Sequence, residues 1–306
     1  MLEKSGFFNL IKKNLLIVIF FLSFFFFMII SLFGINILDE GFYLYSSLQI
    51  LDGKLPYKDI FIPYTPGLFY FNALIFKLFG INLLYPRIFQ DLILASTSVL
   101  IFLLSKKIMS EKFAVIASII YILGISPKIN TPWPGWYALF FGFLAIYFVT
   151  TFIEREQNYR YLCFSGIFTV LSIIFKQNIG ALTLFSIMIF LLIQSLIAKS
   201  DYQKQSKKFL AYCFGIIICA IPILFYLNYF SLTQFFLDNI YTDQINNFRS
   251  SMNIPFPSIS EGIPLTIDIK AFYTSAGIWM FYIPLLVFVL SIIVLSKKIV
   301  SSKKEI

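Results

Sequence analysis

Apolar residues in this chain gather into long runs rather than alternating with polar ones. Runs near twenty residues recur at 14–35, 86–105, 113–127, 136–153, 160–175, 179–198, 209–230 and 273–295. At about 1.5 Å of rise per helical residue, a run of that length crosses a hydrocarbon core about 30 Å thick. The pattern predicts an all-α polytopic integral membrane protein with about eight transmembrane helices. The first run has no small-residue cleavage motif after it and reads as an anchor. A further apolar segment, "YTPGLFYFNALIFKLFG" (64–80), is short, carries Lys77 and contains Pro66 near its start. Charge bias decides its fate. If the N-terminus is cytoplasmic and 64–80 lies in the interface, sixteen of the 24 Lys and Arg fall in short inner loops and tails. If 64–80 spans, "SKKIMSEK" moves outside, and the basic "KSDYQKQSKK" loop and "SKKIVSSKK" tail face outward, against the positive-inside rule. The expectation is therefore both termini cytoplasmic and an interfacial helix at 64–80.

This topology leaves two large outer segments, 36–85 and 231–272, rich in Tyr, Phe, Pro, Asn and Asp. The inner loops are short and basic, so the working face is expected outside the cytoplasm. The organisation expected is a transmembrane core over 1–230 that includes the outer loop 36–85. An outer loop (231–272), a final helix and a basic tail follow over 231–306.

Composition narrows the chemistry. The chain is 59% hydrophobic and 20% aromatic, with 13% charged residues and a mean hydropathy of +0.86, against about a quarter charged in soluble domains. The net charge of +9 reflects loop lysines that orient membrane helices, and no nucleic-acid partner is expected. The absence of His removes His-based general-base catalysis, Ser-His-Asp triads and most zinc sites. Acid–base work must fall to Asp, Glu, Lys or Tyr. Cys163, Cys213 and Cys219 lie inside apolar runs and read as packing residues.

The most informative stretch follows the first run: "NILDEGFYLYSSLQILDGKLPYKDIFIPYTPG" (36–67). Asp39 and Glu40 stand where the chain leaves the membrane. Asp39 is suited to N-cap a helix that begins at Glu40. Phe42, Tyr45, Leu48 and Leu51 recur near helical spacing and predict an amphipathic surface helix, which Asp52-Gly53 stops. Pro56, Pro63 and Pro66 forbid a regular element before the next interfacial helix. On these residues alone, the Asp-Glu pair reads either as a helix cap at the membrane edge or as a reactive acid.

A first transmembrane helix, then "DEGFYLYSSLQILDGKLPYKDIFIPYTPGLFYFNALIFKLFG", then "PRIFQDLILASTSVLIFLLSKKI", resembles the N-terminal core of GT-C fold glycosyltransferases. The subgroup it is most similar to holds the protein mannosyltransferase-like and lipid A aminoarabinose transferase-like proteins. The resemblance covers about residues 14 to 110, and the span pattern extends it to about 200. It implies transfer of a sugar from a polyprenyl-phosphate-linked donor to a lipid, glycan or protein acceptor, with inversion at the anomeric carbon. It places the general base at Asp39, with Glu40 orienting the acceptor or binding a metal, and so leaves a divalent cation open as cofactor. The donor phosphate needs outer cations, and the candidates are Lys58 and its neighbour Asp59 in "PYKD", Arg87, Lys176 in "FKQNIG", and Arg249. Tyr64 in "PYTPG" and Gln177 and Asn178 in "KQN" complete the substrate-binding set. Lys58, Arg87 and Arg249 read equally as interfacial anchors, and Lys176 as a snorkelling helix-end lysine. Trp133 and Trp136 in "KINTPWPGWY" fit the aromatic belt or a sugar-stacking role. Members of the family are often longer, so a compact or truncated member is expected. Two other classes compete. A transporter or lipid flippase would show mid-span charges or paired helix breaks, and the spans carry few charges. An inactive scaffold would be indifferent to Asp39→Asn.

Overall fold

The computed structural model describes residues 14–125, 131–155, 158–197 and 202–230. Among them the chain is helical and contains no strand. Its elements are α1 (Leu15–Ser31), α2 (Asp39–Leu51), α3 (Gly67–Phe79), α4 (Leu84–Lys106), α5 (Glu111–Ile125), α6 (Pro134–Glu154), α7 (Arg160–Phe175), α8 (Gln177–Ile197) and α9 (Tyr202–Phe230). Four helices are long and apolar enough to cross a membrane: α4, α6, Gln177–Ser195 within α8 and Gln205–Tyr226 within α9. α1, α3 and α7 are apolar but shorter, at 17, 13 and 16 residues. The run at 14–35 stays helical only to Ser31, because the chain turns at Gly34, where φ is 80°. The expected span at 273–295, the rest of 231–306 and Arg249 lie outside the described residues.

The long helices turn apolar side chains outward. Ile17, Leu22 and Phe25 of α1 and Leu210, Phe214 and Phe225 of α9 are exposed, which suits a hydrocarbon solvent. Apolar attraction between helices is weak there, and close packing replaces it. α7 and α9 meet backbone to backbone. A Cβ at Gly166 would lie 2.3 Å from the Tyr212 carbonyl oxygen, and one at Gly215 would lie 2.0 Å from that of Cys163. Polar bonds add to this seam: the Thr169 and Tyr212 hydroxyls are 3.0 Å apart, and Ser172 donates to the Ala138 carbonyl at 2.8 Å.

The first loop is part of the core rather than an appendage to it. Tyr57, Ile60 and Ile62 are buried with Phe27, Leu94, Tyr137 and Phe175 of the long helices. The sequence is right about the stop after α2: Gly53 adopts φ 89° and the Lys54 amide closes on the Gln49 carbonyl. It is wrong about the start. Asp39 is not a cap but the first helical residue. Its backbone N–H donates to the Asn36 side-chain oxygen at 3.1 Å, so Asn36 supplies the capping bond from three residues upstream. It is also wrong about the buried face of α2, which consists of Glu40, Tyr43, Ser46 and Ser47, while Tyr45 is exposed. Two causes act together. Glu40 is drawn inward by a buried arginine, and the two small serines let α2 pack closely on α3.

The α7–α9 seam makes a clear demand. Gly215→Val is expected to lower the thermal unfolding midpoint of the detergent-purified protein, at a cost of about 1–3 kcal/mol from overpacking. Gly124→Ala on α5, where a Cβ meets nothing within 4 Å, is the matched control and should leave the midpoint unchanged.

Candidate active site

One end of the bundle gathers the C-terminal ends of α1 and α7, the N-terminal ends of α4, α6 and α8, and the first loop. Its anchor is a buried ion pair. Arg87, in the first turn of α4, donates from Nε to Glu40 Oε1 at 2.7 Å and from Nη2 to Oε2 at 2.6 Å. The same guanidinium donates from Nη1 to the Ser31 carbonyl at 2.6 Å and from Nη2 to the Gly34 carbonyl at 2.9 Å. A helix end leaves carbonyls without partners, and a cation there is favourable. Arg87 thus closes the end of α1, the turn after it and the start of α2 with one planar group. Glu40 and Arg87 are 1% and 3% exposed. Asp91, one turn further along α4, is also buried and accepts from Ser31 Oγ at 2.7 Å.

Beside Glu40, Asp39 faces the other way. It is exposed, and its Oδ2 accepts one bond, from Asn36 Nδ2 at 3.1 Å. A strip of aromatic residues runs from it. Tyr43 sits one helical turn on. Burial pushes its hydroxyl pKa well above the usual tyrosine value, with further upward pushes from Tyr64, from the Asp39 charge and from its hydrogen bond to Tyr64. The Tyr43 and Tyr64 rings are 6.2 Å apart. Tyr64 is held in turn by Tyr57, whose hydroxyl donates to the Tyr64 carbonyl at 2.7 Å. Tyr57 sits in the turn of "PYKD" with a left-handed φ of 67°, a conformation that non-glycine residues adopt at a cost of order 1–2 kcal/mol.

Lys176 ends the strip. It is the single residue between α7 and α8, with extended backbone (φ −154°, ψ 111°). Its ammonium lies 3.8 Å from the centre of the Trp133 ring and 5.6 Å from that of Tyr64. Among the described residues it has no carboxylate partner. Burial pulls its pKa down from the usual lysine value to about 8. The neighbouring Gln177 ties the loop to this joint. Its side-chain oxygen accepts from the Thr65 amide at 3.3 Å, and Thr65 Oγ1 donates to the Ile173 carbonyl at 2.7 Å, closing the end of α7. Gly67 makes the docking possible, since a Cβ there would lie 2.6 Å from the Ile174 carbonyl oxygen.

The structure therefore brings together Asp39, Glu40, Tyr64, Arg87, Lys176 and Gln177. Lys58 and Asp59 are exposed on the "PYKD" turn, where Asp59 accepts from the Leu55 amide at 2.9 Å. Asn178 is exposed and accepts from the Ile179 amide. Sequence reasoning missed Tyr43, although its spacing of four from Asp39 was a usable signal on a helix. It also missed Asp91, the acidic residue of "PRIFQD", four residues after Arg87. Among the described residues no three His, Cys, Asp or Glu side chains form a group that could hold a metal ion.

A family model for dolichyl-phosphate-mannose-protein mannosyltransferase matches residues 63–226. Together with the apolar helical bundle, this makes the protein a membrane glycosyltransferase of the GT-C type. The matched segment is more than half of the 306 residues, and the chain belongs to the dolichyl-phosphate-mannose-protein mannosyltransferase family. No curated protein and no solved structure matches the chain. Tyr64, Arg87, Lys176, Gln177 and Asn178 fall inside the matched segment; Asp39, Glu40, Lys58 and Asp59 precede it.

The ion pair generates a prediction about the loop it anchors. Arg87→Ala leaves a carboxylate buried without its partner and is expected to cost about 3–5 kcal/mol, read as a lowered unfolding midpoint. The double variant Glu40→Gln, Arg87→Met, which removes both charges, is expected to recover a large part of that loss.

Proposed function

We propose that the protein transfers a sugar from a polyprenyl-phosphate-linked donor to an acceptor hydroxyl at the extracytoplasmic face of the membrane. The observation that carries this reading is the strip that joins an exposed carboxylate, Asp39, to a carboxylate-free ammonium, Lys176, through Tyr43 and Tyr64. Asp39 is the general base and takes the proton of the acceptor hydroxyl as its oxygen attacks the anomeric carbon. The bond from that carbon to the phosphate oxygen breaks, and its electrons pass to the phosphate. Lys176 pairs with the phosphate and stabilises the charge that grows there as the lipid phosphate leaves. Attack opposite the leaving group inverts the anomeric carbon. Glu40 and Arg87 act by holding Asp39, since their charged atoms are engaged with each other and with α1 carbonyls. Gln177 and Thr65 keep Tyr64 against the Lys176 joint. Arg249 and the acceptor-reading role of 231–272 complete the proposal. The basic end of the bundle, with Lys106, Lys107 and Lys208, is the cytoplasmic one.

Sugar transfer from polyprenyl-phosphate-mannose and related hexose and pentose donors, with purified protein in lipid, tests this. Asp39→Asn keeps an oxygen for Asn36 and leaves the Glu40–Arg87 pair in place. It is expected to lower kcat by about 10²–10⁴-fold with an unchanged unfolding midpoint, whereas equal turnover would move the base elsewhere. The lowered pKa of Lys176 gives a signed pH dependence. The charged form is the active one, so kcat/KM is expected to fall as pH rises through about 8. Lys176→Gln should remove this alkaline limb along with most of the affinity for donor.

A further inference from the structure

Lysines that bind anions are usually held by a carboxylate when the anion is away. Lys176 is held by aromatic rings. Its ammonium lies over the Trp133 ring at 3.8 Å, inside the range of a strong cation–π contact. Trp133 is itself fixed on three sides. Its backbone N–H donates to the buried Gln90 side chain at 2.9 Å, its ring packs edge-on against Trp136 at 5.1 Å, and Gly135 leaves room for it, since a Cβ there would fall 2.0 Å from the indole. The start of α6 is thus built around one tryptophan orientation, with a face presented to Lys176. That face is occupied by the ammonium, so Trp133 is not free on that side to stack on a sugar.

We propose that Trp133 is a positioning residue for the transfer reaction: its ring face holds the Lys176 ammonium charged and aimed at the donor phosphate without a competing protein carboxylate. The inference rests on the reading of Lys176 as the cation that binds that phosphate. The titratable and charged groups around Lys176 among the described residues are Tyr64 from the loop before α3 and, one ring further, Tyr43 and Asp39 of α2. Gln177 of α8 and Gln90 of α4 are neutral. A carboxylate at hydrogen-bonding range would raise the lysine pKa and have to be displaced by every incoming donor. A tryptophan face favours the charged form and leaves the outer side of the ammonium open.

The test is the affinity for polyprenyl-phosphate-mannose from neutral to alkaline pH, since its phosphodiester does not titrate there. Trp133→Leu keeps the burial that lowers the Lys176 pKa and removes the ring that opposes it. Its Kd is expected to rise by roughly tenfold at mildly alkaline pH, and the loss of affinity should begin at lower pH than in the unaltered protein. Trp133→Phe should restore most of both and covers the case in which the leucine variant does not fold. A folded Trp133→Leu protein with unchanged Kd and unchanged pH limb, beside a Lys176→Gln protein that has lost binding, overturns this inference and leaves the function reading intact. A Lys176→Gln protein that still binds with the same pH limb overturns both.

Discussion

The buried Glu40–Arg87 pair is the constraint on which the outer end of the molecule depends. A charge removed from water is expensive, and a pair repays that only when its geometry is complete. Here it is complete: both carboxylate oxygens are engaged, and the remaining guanidinium donors reach the Ser31 and Gly34 carbonyls. The consequence is directional. With Glu40 turned inward, helical geometry turns the adjacent Asp39 outward, because neighbouring residues on a helix point about 100° apart. The two acids are adjacent in sequence and have opposite environments, one buried and paired, the other exposed to solvent and substrate.

From that fixed carboxylate, the loop and the bundle build one surface between them. Tyr43 and Tyr64 come from the loop, Trp133 and Lys176 from helix ends, and Gln177 with Thr65 binds the two sources together. None of these contacts is long in sequence from the loop's own point of view, but they join residues more than a hundred positions apart. The buried Tyr57, Ile60 and Ile62 give the loop a hydrophobic footing in the same place. The loop is therefore held at both its polar and apolar faces, as a surface meant to position chemistry requires.

Class, family and the main acid were legible in the sequence for physical reasons. Apolar run length reports membrane helices directly, and the Asp-Glu pair stood at a helix exit. Lys176 was legible because a single polar triplet between two apolar runs leaves no room for a loop. The inward face of α2 was not legible. The stripe Phe42, Tyr45, Leu48 obeys helical spacing, yet the ion pair rotates Glu40 inward and Tyr45 outward, a tertiary override of local pattern. Arg87 misled in the same way. Read alone it is an outer cation free for phosphate, and only its partner 47 residues upstream shows it engaged. The capping role moved from Asp39 to Asn36 because the turn after α1 brings that amide into reach.

The joint at Lys176 has a consequence for how this surface can vary between descendants of the same gene. Loops commonly tolerate inserted residues. Here one residue serves as the whole connection, its backbone closing α7 at Ser172 and opening α8 at Gly180, while its side chain reaches Trp133. One added residue would turn everything after it by about 100°, carrying Gln177 off Thr65 and swinging the following helix out of register with α6 and α9. Amino-acid exchanges can be absorbed at this point one at a time. Changes of length cannot, so the spacing between Phe175 and Gln177 is as much a part of the site as the lysine between them.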